Sequence, residues 1–109
     1  LWIGTSNGLN CYYGSGNKIY RNVLNDKYSL GNNFVSSLME EGEDLWIGTS
    51  SGLYIYDRSD DHFLYFDKTT KYGVFISCEV KKIVKTKNGL IWIATLGQGI
   101  FIYDPAKDV

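Results

Sequence analysis

The segment LWIGTSNGLNCYY at Leu1–Tyr13 returns as LWIGTSSGLYIYD at Leu45–Asp57 and as IWIATLGQGIFIYD at Ile91–Asp104. The tryptophans at positions 2, 46 and 92 stand 44 and 46 residues apart, and a fixed period of that size marks a chain that stacks one supersecondary unit on the next. The unit is longer than its tryptophan core: Val35, Leu38 and Met39 ahead of Trp46 correspond to Val80, Ile83 and Val84 ahead of Trp92, with one additional residue in the later copy.

The middle copy resolves into four short strands, A to D, at Phe34–Glu40, Leu45–Thr49, Leu53–Asp57 and Phe63–Phe66. Polar stretches at 41–44, 50–52 and 58–61 separate them, as turns do. Composition points the same way: 16% of residues are aromatic and there is one proline, Pro105, with β-branched residues in every apolar run. No amphipathic helical period occurs, which excludes a helical solenoid. Strands B and C are nearly continuous apolar runs, the pattern of a sheet covered on both faces, and a propeller blade between two neighbours is such a sheet.

The expected fold is therefore all-β, a fragment of a β-propeller with about two and a half four-stranded antiparallel blades. Residues 1–24 are read as a partial blade (strands B to D), 34–66 as a complete blade and 79–109 as a partial blade (strands A to C), joined by linkers 25–33 and 67–78. The start at Leu1 and Trp2, without an initiator methionine or a signal-peptide pattern, reads as a trimmed N-terminus. End blades without polar caps would leave Trp2, Ile3 and Tyr12, or Ile91, Trp92 and Phe101, facing water, so the isolated chain is expected to self-associate.

Gly8, Gly52 and Gly99 recur in the B to C turn, where a positive φ closes the reversal. Gly4 and Gly48 fall inside strand B, where the third copy has Ala94. Small residues there are expected to make room for a neighbouring side chain such as a tryptophan.

Charge and chemistry-bearing residues exclude much. With 11 basic and 12 acidic residues and a formal charge of −1, no basic stripe follows a nucleic-acid backbone or an anionic lipid surface. No apolar run approaches the roughly 18 residues of a membrane span. Cys11 and Cys78 read as buried thiols that could pair in an oxidising compartment, and with His62 as the one histidine they do not make a zinc set. His62, beside Asp60 and Asp61, reads as a solvated surface imidazole. Glu40, Glu41, Glu43 and Asp44 lack the spacing of a calcium loop and read as an A to B turn. Gly14–Asn17 have no helix after them to hold a phosphate and read as a C to D hairpin. No catalytic, metal or cofactor site is expected.

The segment NNFVSSLMEEGEDLWIGTSSGLYIYD of the middle copy, with Ser29 and Leu30 ahead of Asn32, Asn33 and Val35, resembles the two-component-regulator propeller repeat. It is similar to the periplasmic sensor part of hybrid two-component systems of Bacteroides-type bacteria. The third copy departs from the pattern with WIAT for WIGT and a longer turn at Leu96–Gly99. The resemblance implies other blades of the same parent chain, a histidine kinase across the membrane, a periplasmic location and a non-catalytic role in sensing a glycan-derived ligand.

In a propeller the D to A connections and the B to C turns share the face by which ligands enter. Here that face is expected to carry Asn7, Tyr28, Asn32, Asn33, Ser51, Tyr72 and Gln98, amides beside tyrosines that would suit an oligosaccharide. The same residue types populate ordinary loops. Two further readings stand beside the sensor: an interaction or dimerisation scaffold, favoured by apolar outer D strands near Ile19–Leu24 and Phe63–Phe66, and a propeller enzyme. The third would need histidines or carboxylates facing the channel, where the A strands offer Ser36, Ser37, Lys81 and Lys82.

Overall fold

In the computed structural model, which describes residues 1–68 and 75–108, the chain forms ten strands and, among the described residues, no helix. β1 (Trp2–Thr5), β2 (Gly8–Tyr13) and β3 (Gly16–Tyr20) make the first sheet. β4 (Val35–Glu41), β5 (Asp44–Thr49), β6 (Gly52–Asp57) and β7 (His62–Tyr65) make the second, and β8 (Val80–Lys85), β9 (Ile91–Thr95) and β10 (Ile100–Tyr103) the third. Every pairing is antiparallel between consecutive strands. The expected middle strands match β4–β7 to within about one residue at each end, the usual uncertainty of strand ends.

The alternation of side chains along each strand assigns two distinct faces to each blade. On β5, Leu45 and Ile47 point into a core shared with the first sheet, together with Leu9, Leu30, Val35, Tyr56 and Phe63. Trp46, one residue out of phase, points the other way and packs with Leu53, Ile76, Val80, Ile83, Ile91 and Ile93 against the third sheet. Each blade thus offers a tryptophan face forward and an aliphatic face backward, and the cores lie between blades. The tryptophans seat in equivalent aromatic groups: Trp2 against Tyr20 and Tyr56, with centroids 5.9 and 5.4 Å away, and Trp46 against Phe66 and Tyr103 at 5.1 and 5.5 Å.

Close approach of the sheets depends on the glycine beside each tryptophan. A β-carbon on Gly4 would stand 2.5 Å from Val35 Cγ1, and one on Gly48 would stand 2.7 Å from Val80 Cγ1. The residue seated on the glycine is therefore the first valine of the next blade's strand A and not a tryptophan, a correction to the expected partner. Both valines precede a β-bulge, at Val35/Ser37 and Val80/Lys82. At the first of these, the Ser36 hydroxyl donates to the Val80 carbonyl of the neighbouring blade, while the Ser37 hydroxyl accepts the Ile83 amide at 3.1 Å. The two A-strand serines are blade-to-blade ties.

The ends of strands C carry a second repeated device. The Tyr56 hydroxyl donates to Asp61 and the Tyr103 hydroxyl to Asp108, both acceptors sitting at φ 56°, a left-handed conformation that Asp tolerates better than most residues. A lysine from the preceding blade, or from the linker that leaves it, reaches each aspartate: Lys18 to Asp61 at 3.6 Å and Lys68 to Asp108 at 2.7 Å. The hydrogen bond from Tyr56, followed by the Lys18 charge, holds Asp61 below the usual carboxylate range. Lys68 and then Tyr103 do the same for Asp108. Burial, reinforced by the aspartate, raises Tyr56 and pushes Tyr103 up to about 12. Cys11 and Cys78 are half-buried free thiols, and His62 is not simply solvated, since its ring stacks on Tyr28 at 3.8 Å and 7°.

Two outcomes are expected. Gly48→Ala should destabilise the chain by about 1–3 kcal/mol through overpacking against Val80, whereas Gly14→Ala, with nothing within 4 Å of the added carbon, should be close to neutral; urea midpoints distinguish them. Linkage gives the pH dependence. The depressed aspartates make stability fall as pH drops below about 4, and the raised tyrosines make it fall as pH climbs above about 10, where unfolded tyrosine ionises. Asp44, raised by burial and then by the charge of Asp57, acts in the opposite sense at the acid end. Melting temperatures across pH should show a weaker alkaline loss in Tyr56→Phe than in the parent chain.

Candidate functional site

The three B to C turns are built alike. Thr5, Thr49 and Thr95 close strand B, and their hydroxyls donate to the carbonyls of Gly8, Gly52 and Gly99 at 2.8, 2.9 and 2.7 Å. Each hydroxyl also accepts an amide from within the turn: Asn7 at 3.0 Å, Ser51 at 3.2 Å and Gln98 at 3.1 Å. The turn closes on glycines with φ of 116°, 131° and 75°, a region that side chains rarely adopt. The threonine of the WIGT core is thus what presents three of the sequence-predicted residues, a role that its recurrence in all three copies could have revealed.

The D to A linkers run up to these turns. The Gly8 amide donates to the Asn33 carbonyl at 2.6 Å and Arg21 Nε to the Asn7 carbonyl at 3.0 Å, so Asn7 and Asn33 lie at one place. Asn33 Oδ1 accepts the Asn22 amide at 2.7 Å and Asn32 Oδ1 accepts the Phe34 amide at 2.9 Å; these oxygens shape the linker. Gln98 spans the next linker, its Nε2 donating to the Phe75 carbonyl at 3.0 Å and its Oε1 accepting the Ser77 amide at 2.8 Å. Tyr28 stands apart: its carbonyl accepts the Phe63 amide and its ring lies on His62, at the C to D end of the blade, because β7 begins at His62 opposite Asp57. Tyr72 lies outside the described residues. A hollow of about 340 Å³ is lined by consecutive linker residues, Asn22 to Lys27.

A feature that the sequence reading missed joins Ser51 and Gln98. The Tyr54 and Tyr65 rings meet edge to face at 5.3 Å, and Tyr65 meets Phe75 at 6.5 Å and 82°. The Tyr54 hydroxyl lies 3.3 Å from Ser51 Oγ, and the Tyr65 hydroxyl donates to the Ile76 carbonyl. Tyr65 and Phe75 remain 37% and 43% exposed, forming a fixed aromatic shelf with a serine hydroxyl at one side and the Gln98 amide at the other. Burial, then the neighbouring Tyr54, raises the Tyr65 hydroxyl above its ordinary range, so it stays a neutral donor at physiological pH. The arrangement can stack and hydrogen-bond a ring. It holds no nucleophile–base pair.

Residues 29–51 match the family model described as two component regulator propeller. No curated protein matches the chain. Among solved structures, two are of one extracellular domain from B. thetaiotaomicron, BT4673, described once as part of a hybrid two component system and once as part of a one component system. The identities are 24% and 25%, the TM-scores 0.75 and 0.78, and the coverage of this chain 96% and 98%. A third, the extracellular domain described as that of the hybrid two component system BT3049 from B. thetaiotaomicron, gives 21% identity and a TM-score of 0.81 over 98% of this chain. The chain spans 15%, 15% and 16% of the length of those three structures.

The turn architecture makes a local prediction. Thr49→Val should cost about 1 kcal/mol, the net worth of a typical buried hydrogen bond, and should raise the exchange rate of the Ser51 amide while leaving that of Asn7 unchanged, as read by hydrogen exchange. The structure is that of stacked, all-antiparallel propeller blades, and its segment 29–51 matches the two component regulator propeller repeat.

Proposed function

We propose that these blades belong to the extracellular, periplasmic sensor region of a two-component signalling protein, that they are non-catalytic, and that they contribute to recognition of a glycan-derived ligand that controls a histidine kinase. The observation that carries the ligand reading is the shelf of Tyr54, Tyr65 and Phe75 between Ser51 and Gln98. A sugar presents an apolar ring face edged by hydroxyls, and exposed aromatic rings flanked by a hydroxyl and an amide are its complement. The match at residues 29–51 supports the signalling context.

Calorimetric titration with a panel of oligosaccharides tests this. One sugar class should bind, and Phe75→Ala should weaken it about tenfold, equivalent to about 1.4 kcal/mol. Silence across the panel, or unchanged binding by Phe75→Ala, would remove the glycan from the assignment.

A second reading, an interaction scaffold, draws on the outer surface near the D strands. Val23, Leu24 and Leu64 are 55%, 86% and 41% exposed there, more apolar surface than a rim serving only a small ligand needs.

A further inference from the structure

Three devices recur from blade to blade: the valine on the glycine, the threonine-closed turn and the tyrosine–aspartate bond. The pair of Tyr54 and Tyr65 does not recur. The strand pairings put Asn10 and Ile19 at the same positions of the first sheet. The third sheet has Phe101 at the first of them and, among the described residues, no fourth strand. Stacking one blade on the next therefore does not require the two tyrosines.

Tyr54 meets the linker that enters the second blade. A β-carbon on Gly31 would overlap the hydroxyl end of the Tyr54 ring, and Gly31 is not among the glycines with positive φ. The ring, and not the backbone conformation, holds position 31 to glycine. The preceding residue, Leu30, is buried in the core between the first and second sheets. Tyr65 meets the linker that leaves the second blade, where its hydroxyl donates to the carbonyl of Ile76, a residue buried in the core between the second and third sheets. With the two rings edge to face at 5.3 Å, a line of contacts runs from Leu30 through Gly31, Tyr54 and Tyr65 to Ile76. Ser51 Oγ, 3.3 Å from the Tyr54 hydroxyl, and Gln98, bonded to Phe75 and Ser77, hold its two ends.

We propose that this line is a relay across the second blade, which makes the seating of Leu30 at one interface and of Ile76 at the other a single event. In a close-packed site a displaced ring displaces its neighbour, and Tyr65 cannot follow Tyr54 without loosening its bond to Ile76. Its use in sensing rests on the shelf being the ligand site proposed above. A ring stacked on Tyr65 and Phe75 then binds the seated arrangement and stabilises both interfaces by its preference for that arrangement. The coupling itself needs no ligand, so it can fail while the glycan reading stands, and the reverse.

The experiment is hydrogen exchange on the ligand-free chain with Gly31→Ala, Tyr54→Ala and both, a double-mutant cycle. The readout is the Ser77 amide, held by Gln98 Oε1 at 2.8 Å in the second linker. The Thr86 amide, bonded to the Leu90 carbonyl at 2.8 Å in the third blade, monitors global unfolding. Gly31→Ala should speed Ser77 exchange about fivefold, the factor that loss of one typical hydrogen bond gives, and leave Thr86 unchanged. In the Tyr54→Ala background the added methyl meets no ring, and Gly31→Ala should change Ser77 less than about twofold. If Gly31→Ala does not fold, which circular dichroism reports, Tyr65→Phe takes its place and the coupling is read in reverse. Loss of the bond to Ile76 should then speed the Gly8 amide, which is bonded to the Asn33 carbonyl of the first linker, and Tyr54→Ala should erase that effect. An unchanged readout amide, a Thr86 amide that accelerates in step with it, or a response that survives Tyr54→Ala would each overturn the relay. A chain that shows the coupling and binds no sugar by calorimetry would keep the relay and remove the glycan.

Discussion

Two sheets approach as closely as the smallest residues between them permit, and in this chain that distance is set where a valine methyl rests on a glycine. Gly4 under Val35 and Gly48 under Val80 bring successive B and A strands together. At that spacing a tryptophan reaches across to the ring of the next blade's C-strand tyrosine, and a serine hydroxyl on the bulged A strand reaches the next blade's backbone. A wider gap would leave the aliphatic positions underpacked, forfeiting contacts that individually are small and collectively large. Because the same steric constraint operates at both internal interfaces, the glycine, the valine and the tryptophan act as one device whose parts lie on different blades.

Much of this was legible in the sequence because the repeat writes the same strand pattern three times. Alternation within LWIGT, LYIYD and their copies fixes which residues share a face, so strand order, turn glycines and the four-to-three division of the sheets are readable from residue types alone. The identity of a cross-blade partner is not so readable: Gly48 is 32 residues from Val80, and nothing local indicates whether a valine or a tryptophan will rest on it. Asp61 and Asp108 were equally hidden, since their bonds to Tyr56 and Tyr103 depend on a left-handed backbone at the aspartate, whereas the composition of the turn says only that it is polar.

The candidate site divides along the same line. The turn positions of Asn7, Ser51 and Gln98 are readable because residues before a recurring glycine are easy to locate, and the threonine behind each gives them a common placement. Tyr54 and Tyr65 were passed over because an aromatic residue in an apolar strand reads as core; only the pairing of β6 with β7 shows that they end at the turn side of the blade. Tyr28 illustrates the converse. A tyrosine in a linker reads as rim, yet the linker swings outward to bond β7 before returning to the core at Leu30.

The linkers explain how a rim and a core can be one mechanical unit. Leu30 and Ile76, at 0% and 1% exposure, plug the first and second interfaces from the linkers that also shape the rim. Tyr65 donates its hydroxyl to the carbonyl of Ile76 itself, and Gln98 holds the residues on either side of Ile76, through the Phe75 carbonyl and the Ser77 amide. Displacing the aromatic shelf therefore strains bonds to a residue whose side chain is locked between the second and third blades. Packed interiors are close to incompressible, so such a displacement has to be taken up either by breaking those bonds or by moving one blade against the next.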